Sequence, residues 1–560
     1  MDSTKPTNLP IFSAAIILLG VICVLPIFFF GIPDTVDAPQ HLKFADVYYQ
    51  AIQEGNYFPS FSDKENFGYG GIGHRFYPPL DYYFLAVLRI ITGNFFTAAW
   101  LSFIFWMTLG FFGVYYWTRN WFPPKESFYA ACIYAIIPGH LGHLYNSFNT
   151  YSEFAAASIL TFCFAFLTRI FTRGRWLDVL GLACFYALLV LAHLPLAIIG
   201  SICLAIYTLL LWRKKYGWQP LLKCCVAAIC GLAASSFYWF AMLTEMKWLR
   251  HASEQYNSGA FNYQTAFFPA SYYFTHSENP GWIVDVTTVL TTLFLASSTF
   301  YFLYKRRNIN EPDTNETIFR AVLPLGLFAL FMITPLSSFV WKIVTPLQKI
   351  QFPVRWLPVT AMCGSVVAAA SIHYLRKGDF LKKRIWIYTT FSAIFIVLFF
   401  NMIYVIHPTA FVPLSREKFE QNVLAPPESQ SFHFWWANWS NSKAFEIKDK
   451  ILAENRTSKI VEWTAENRVF EISEGKAENV RIAIFYYPHW QATVNEKAVT
   501  IEKDENGAIL IPVPAEKSTV KLYFQEPLTV RISSIISLLT WFLLGGLILF
   551  SVVKKNFFDK

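Results

Sequence analysis

Residues 31–55 read GIPDTVDAPQHLKFADVYYQAIQEG and follow an apolar run at 11–31 without a spacer. Asp34, Asp37 and His41 therefore stand where a membrane helix would meet water. Asp37 and His41 are four residues apart, so a helix over 39–54 turns both to one side. Leu42, Phe44, Ala45, Val47, Tyr48, Ala51 and Ile52 give that helix an apolar stripe suited to lying on a bilayer. Pro39 fits its first turn and Asp37 its N-cap, a role worth about 1 kcal/mol. Capping alone leaves Asp34 and His41 without a reason.

The rest of the chain says what lies on either side of this segment. It has 560 residues, 55% of them hydrophobic and only 15% charged, and its mean hydropathy is +0.37. A soluble protein carries about 25% charge. Apolar runs long enough to cross a hydrocarbon core of about 30 Å recur through the first three quarters. They lie near 11–31, 95–118, 127–145, 152–172, 176–194, 196–212, 220–243, 283–304, 318–336, 357–375, 385–405 and 531–553, with a shorter piece at 79–93. The first run has no small-residue cleavage site behind it and reads as a retained anchor. All nine cysteines fall inside apolar segments, which points to packing rather than a disulfide framework. The net charge of +9 matches a positive-inside bias, and no basic run interleaved with aromatics points to nucleic acid.

Basic clusters fix the parity. Arg119/Lys125, Arg169/Arg173/Arg175, Arg213/Lys214/Lys215, Lys305/Arg306/Arg307, Arg376–Arg384 and Lys554/Lys555 all fall inside if 79–93 does not cross. That gives about twelve spans with both termini on the inside; a crossing at 79–93 makes thirteen and forces one basic cluster to the wrong side. The outside then holds loops 32–94 and 244–282, short turns near 145–152 and 337–356, and a soluble block at 406–530. The expected organisation is a transmembrane domain over 1–405, a β-rich domain over 406–530, and a final span with a basic tail over 531–560. Alternation in RIAIFYYPHW, ILIPVP and TVKLYF, with turns at NEK and DENG, reads as a small β-sandwich. Its Trp435, Trp436, Trp439, Tyr486, Tyr487 and Trp490 are suited either to a sugar site or to packing the sandwich and the membrane surface.

Further chemistry gathers on the outside. NFGYGGIGHRFYPPLDYYF, residues 66–84, sets His74 and Arg75 in a pliable glycine-rich loop that could wrap a phosphate. His140, His143, Glu153 and His41 are of metal-ligand type, so a divalent metal is possible, but their spacing fixes none and no cofactor is certain. His193, inside an apolar run, suits a helix–helix hydrogen bond. The long loop 244–282 has the length of a lid or binding loop, with Glu245, His276 and Glu278 as lesser candidates.

Several of these stretches carry a resemblance. The order D-x-x-x-H, AIxEGxxxP, GYG and FYPPLxYY in the first loop resembles membrane proteins related to 6-pyruvoyl-tetrahydropterin synthase, within the GT-C superfamily of polytopic glycosyltransferases. YNSFNTYSEFAAA (145–157), LAHLPLA (191–197) and IQFPVRWL (350–357) are similar to later elements of the same pattern, and FYYPHWQATVNEKAV to the outer β-domain of YfhO-like proteins. The first acid pair departs from the family pattern, being D-x-x-D rather than D-x-D. The resemblance implies a mainly α, GT-C-like membrane helix bundle with a small outer β-sandwich. It implies inverting transfer of a sugar from a polyprenyl-phosphate donor to a lipid, glycan or protein acceptor outside a bacterial inner membrane. Asp37 would be the catalytic base, since an attacking hydroxyl must lose its proton. His41 and Glu153 would line the groove with Asp34 and His193 near it, and Arg355, then Arg75 with His74, would hold the departing phosphate. Two rivals remain: a transporter or flippase of lipid-linked glycans, and a non-catalytic glycan-binding scaffold.

Overall fold

A computed structural model describes residues 9–33, 38–145, 151–250, 262–269, 281–306, 312–377, 413–414, 416–417, 419 and 435–558. Asp34, Asp37, His276, Glu278 and the span expected at 385–405 lie outside the described residues. The chain is mainly helical, and its two larger antiparallel sheets lie in its C-terminal part. Seven described helices are long and apolar enough to cross a bilayer: Pro10–Phe30, Phe95–Thr118, Ser152–Arg173, Leu194–Leu211, Asp285–Lys305, Pro353–Tyr374 and Leu528–Val553. Two helix pairs are apolar enough only together and bend sharply at a short break, as a broken span or a re-entrant loop does: Gln219–Ala234 with Ser236–Trp248 (69°) and Ile318–Ile333 with Pro335–Ile343 (92°).

Local chemistry sets the breaks. Helices α1 (Leu9–Phe30), α2 (Ala38–Gln53) and α3 (Leu80–Thr92) precede α4 (Phe95–Thr118). At 13 residues, α3 is about 20 Å long and too short to cross alone. Gly93 ends it at φ +79°, and Asn94 caps α4 by accepting the Thr97 amide at 2.7 Å. The expected span 127–145 is interrupted: α5 (Pro124–Ile136) gives way to α6 (Pro138–Tyr145) at a proline, which favours extended backbone just before it.

Helices α7 (Tyr151–Arg173), α8 (Trp176–Ala192) and α9 (Leu194–Leu211) follow, then α10 (Gln219–Ala234) and α11 (Ser236–Glu245). His193 stands at the break between α8 and α9 and accepts the Leu196 amide on Nδ1 at 3.3 Å. Through this bond it caps α9. After α12 (Gly281–Arg306) and α13 (Pro312–Thr317), one π-helical turn, Ile318–Val322, leads into α14 (Leu323–Ile333). The short α15 (Ser338–Ile343) and α16 (Thr345–Gln348) precede α17 (Leu357–Lys377), and α18 (Leu528–Phe558) closes the chain.

Helices α7 and α17 form the centre, with 89% and 94% of their apolar windows buried. The last helix has 11% buried, and its exposed Leu539, Phe542 and Phe550 are what a lipid-facing surface requires. Small residues let α4 reach α7. A Cβ on Gly113 would stand 1.7 Å from Thr161 Oγ1, and one on Gly110 2.9 Å from Ser158 Oγ. Close backbone approach of this kind drives helix packing where water cannot.

The β-domain has two antiparallel sheets. One runs in the order β3 (Ile451–Leu452), β6 (Glu478–Phe485), β10 (Ala508–Val513), β9 (Glu502–Lys503). The other runs β4 (Ser458–Trp463), β5 (Asn467–Ile472), β11 (Ser518–Phe524), β7 (Trp490–Val494), β8 (Lys497–Val499). The remaining pair, β1 (Ile32–Pro33) and β2 (Pro413–Leu414), ties the end of α1 to the chain ahead of this domain. Val520 and Leu522 of one sheet are fully buried with exposed or half-buried neighbours, as period-two alternation requires, whereas β6 in the other is buried on both faces from Val480 to Phe485. Asn495 and Glu496 take φ of 49° and 65° in the β7–β8 turn, and Gly507 takes 88° after Asp504, where NEK and DENG place turns.

Candidate active site

The first loop lies between the helices and the β-domain. Tyr69 donates its hydroxyl to the carbonyls of Ala444 (2.5 Å) and Ile447 (2.8 Å), and Arg481 donates to that hydroxyl at 2.8 Å. Glu466 of the β-domain accepts the Ser60 amide at 2.6 Å and the Asn56 side chain at 3.1 Å. Trp436 donates to Asn66 at 2.9 Å. Phe61 packs edge-on against Trp490 at 5.0 Å. Of the aromatics suited to a sugar site, Trp435, Trp436, Tyr487 and Trp490 are buried, and Trp439 donates to the Tyr486 carbonyl. They pack this junction.

The same packing reassigns His74 and Arg75. His74 is fully buried, with Nε2 3.1 Å from the Pro59 carbonyl. Burial pushes its pKa down to about 3, so the imidazole is neutral and brings no charge to a phosphate. Arg75 forms a bidentate pair with Glu245 at 3.2 and 3.0 Å and also grips Glu526, with Nη2 3.1 Å from Oε2. His489 adds an Nε2 contact to Glu245 at 2.9 Å. Burial opposes ionisation of Glu526, but the Arg75 charge beside it outweighs that and holds its carboxyl below the usual range. With two carboxylates on one guanidinium, Arg75 fastens loop to helix and β-domain. The glycines here answer to the same packing: a Cβ on Gly70 would stand 2.3 Å from the Phe61 ring.

A second set of polar groups gathers at the helix ends on the β-domain side. Glu153, in the first turn of α7, is buried and accepts from Arg355 Nε on Oε2 at 3.1 Å. The IQFPVRWL stretch explains why Arg355 points there. Gln351 takes φ +69°, Pro353 starts a 3-10 turn, and Arg355 Nη1 folds back onto the Ile350 carbonyl at 2.6 Å. The guanidinium also lies 5.0 Å from the Phe352 ring centre. Two residues 202 positions apart are thus joined in a buried carboxylate–guanidinium pair.

His41 approaches from the first loop. Its Nδ1 is 2.7 Å from the Tyr82 hydroxyl, and its ring stacks near Tyr82 and meets Tyr77 edge-on. Tyr82 faces the side chain of Ser152, the residue before Glu153. His140 stacks between Tyr134 (4.1 Å) and Phe154 (5.2 Å). His41 and Tyr82 thus stand beside the start of α7, where Glu153 pairs with Arg355. Asp37 lies one helical turn before His41 in sequence, outside the described residues.

Neither Tyr82 nor Asp81 is singled out by the sequence reading. Tyr82 joins His41 to the α7 terminus. Asp81, fully buried beside it, accepts Trp106 Nε1 on Oδ1 at 2.7 Å and has no hydrogen-bond partner on Oδ2 among the described residues. The PPLDYY run could have flagged this acid, since a carboxylate at the head of an apolar helix is costly unless used. Among the described residues, the side chains that approach one another as metal ligands would are Glu245, His489 and Glu526, within 4.8 Å. Their carboxylates already hold Arg75. His41, His140 and Glu153 do not assemble in that way.

Fold and site together define a polytopic membrane protein with a C-terminal β-domain and an ionic site at the helix ends on the β-domain side. The family described as "6-pyruvoyl-tetrahydropterin synthase related domain; membrane protein" matches residues 74–410, and the chain belongs to it. No curated protein sequence matches. Solved structures similar to the chain are glycosyltransferases of the GT-C superfamily. ArnT from Cupriavidus metallidurans, bound to undecaprenyl phosphate, is 11% identical over 66% of this chain and 77% of its own, with a TM-score of 0.29. The oligosaccharyltransferase AglB from Archaeoglobus fulgidus, with an inhibitory peptide and a dolichol-phosphate, is 12% identical over 76% of this chain and 60% of its own, at 0.43. The arabinofuranosyltransferase AftD from Mycobacteria is 16% identical over 74% of this chain and 28% of its own, at 0.41.

Proposed function

We propose that the chain is an inverting glycosyltransferase of the outer face of a bacterial cytoplasmic membrane. It takes a sugar from a polyprenyl-phosphate donor and passes it to a lipid, glycan or protein acceptor. One observation carries the reading: the mostly buried Glu153–Arg355 pair lies at membrane-helix ends, with His41 and Tyr82 beside the start of α7. A guanidinium placed there can take a lipid phosphate in bidentate fashion, and a carboxylate beside it keeps the empty site neutral.

In the proposed step the acceptor oxygen bonds to the anomeric carbon from the face opposite the phosphate. The bond from that carbon to the phosphate oxygen breaks, and polyprenyl phosphate leaves as the anion. The acceptor proton passes to the Asp37 carboxylate, and Arg355 stabilises the charge that develops on the leaving oxygen. His41 and Tyr82 position the first loop against the start of α7. Arg75 takes no part in phosphate binding and fixes the loop from the other side.

The donor assignment is tested by binding. Full-length protein in neutral detergent should bind polyprenyl phosphate, and Arg355→Met should weaken that binding at least tenfold while Arg355→Lys weakens it less. Equal binding by wild type and Arg355→Met would overturn the assignment.

A further inference from the structure

Helices α7, α8 and α9 alternate in direction. A chain that enters α7 beside Glu153 therefore leaves α9, at Arg213, on the end of the bundle away from the β-domain. There the last turns of α9 and the start of α14 part to form a groove of about 570 Å³, within the range of small-ligand sites. Leu209, Leu323, Leu327 and Phe319 wall it, with Trp212, Arg213 and Arg320 among its other lining residues. Among the described residues, no acidic residue lines it.

Three observations say what would occupy it. Leu209 and Leu327 are 68% and 48% exposed, so the walls continue into a surface that faces hydrocarbon in a membrane. Trp212 and Trp218 pair at 5.7 Å beside Arg213 and Lys214, the tryptophan-and-cation set that sits at headgroup level. The π-helical turn Ile318–Val322 supplies Phe319 and Arg320 to the groove, and such turns recur at functional sites. Arg320 is shared with Glu316, one helical turn earlier, at 2.8 Å in a half-exposed pair that a phosphate can displace. Two guanidinium groups above an apolar slot match an anion that carries its own chains.

We propose that this groove binds an anionic phospholipid of the leaflet opposite the β-domain. The phosphate rests between Arg213 and Arg320, and an acyl chain runs along Leu209, Leu323 and Leu327. The site is separate from Glu153 and Arg355 and does not depend on what reaction occurs there.

The test uses full-length protein in neutral detergent, titrated with phosphatidylglycerol or phosphatidylcholine and read by native mass spectrometry. Wild type should retain phosphatidylglycerol in preference to phosphatidylcholine. The Arg213→Gln/Arg320→Gln variant should lose at least tenfold of that retention and leave phosphatidylcholine unchanged. Leu327→Trp, at a lipid-facing position, should lose phosphatidylglycerol with both arginines intact, which covers a double variant that fails to fold. Free glycerol phosphate in excess should not displace the lipid. Wild-type retention in either variant, displacement by glycerol phosphate, or a second copy of the chain in place of lipid would overturn the proposal.

Discussion

Glu65 should make the outer junction weaker as pH rises, and Glu65→Gln should remove that dependence. Glu65 opens the turn of the first loop: its carbonyl accepts the amides of Gly68 (3.1 Å) and Gly70 (2.9 Å). Its side chain is buried, and Oε1 has no hydrogen-bond partner among the described residues. Burial lifts its pKa from 4.5 to about 7, against a smaller opposing pull from Lys43. Below about pH 4.5 the carboxyl is protonated in both the folded and unfolded chain and costs nothing. Between about 4.5 and 7 the unfolded chain releases a proton that the folded one keeps, so stability falls by about 1.4 kcal/mol per pH unit. Above about 7 the loss levels off at about 3 kcal/mol, a factor of about 10² in the opening equilibrium. Glutamine keeps the shape and carries no charge. Amide hydrogen exchange at Phe485, whose N–H donates to the Tyr69 carbonyl at 2.8 Å, reads the junction directly. The variant and wild type should match near pH 4.5, diverge through pH 7, and keep a constant gap beyond it, with the variant better protected. An offset independent of pH, or a variant less protected at pH 8, would refute the reasoning.

Three further outcomes follow from the same contacts. Glu153→Gln leaves Arg355 buried without its carboxylate, at a cost of about 3–5 kcal/mol, so added polyprenyl phosphate should raise this variant's melting temperature more than the wild type's; equal shifts would show that the phosphate does not use Arg355. Arg75→Met strands Glu245 and Glu526 at a similar cost of about 3–5 kcal/mol, and limited proteolysis should then cut the first loop at pH 8, whereas an unchanged digestion pattern would rule out the fastening role. Gly113→Val places its Cβ in the space of Thr161 Oγ1 and should separate α4 from α7, seen as loss of monodisperse protein after extraction, and wild-type yield and melting behaviour would contradict that packing.

Much of the architecture was legible in the residues because it rests on local pattern. Apolar runs reveal spans without any partner, and period-two alternation with NEK and DENG reveals strands and their turns. Breaks inside spans are harder to see. His193 reads as an odd polar group in LAHLPLA until its ring is found capping the next helix. The GYGGIGHR segment reads as a phosphate loop because glycine, histidine and arginine often serve so. The partners that decide otherwise, Glu245 and Glu526, are 170 and 451 residues away. Glu153 and Arg355 were identifiable by type and by their place at helix ends, but not as partners. Nothing local to Tyr82 or Asp81 announces that α3 delivers them to His41 and Trp106, because both contacts arise only from packing across helices.

The central claim is that Asp37 takes the acceptor proton while Arg355 holds the departing phosphate. The most direct measurement is single-turnover sugar transfer from a polyprenyl-phosphate donor, in membranes carrying wild type or Asp37→Asn at equal abundance. The amide keeps any helix-capping role but cannot accept a proton as the carboxylate does. Transfer should fall by about 10²–10⁴, the range of general-base contributions, with polyprenyl phosphate binding unchanged. Wild-type turnover in Asp37→Asn would contradict the account.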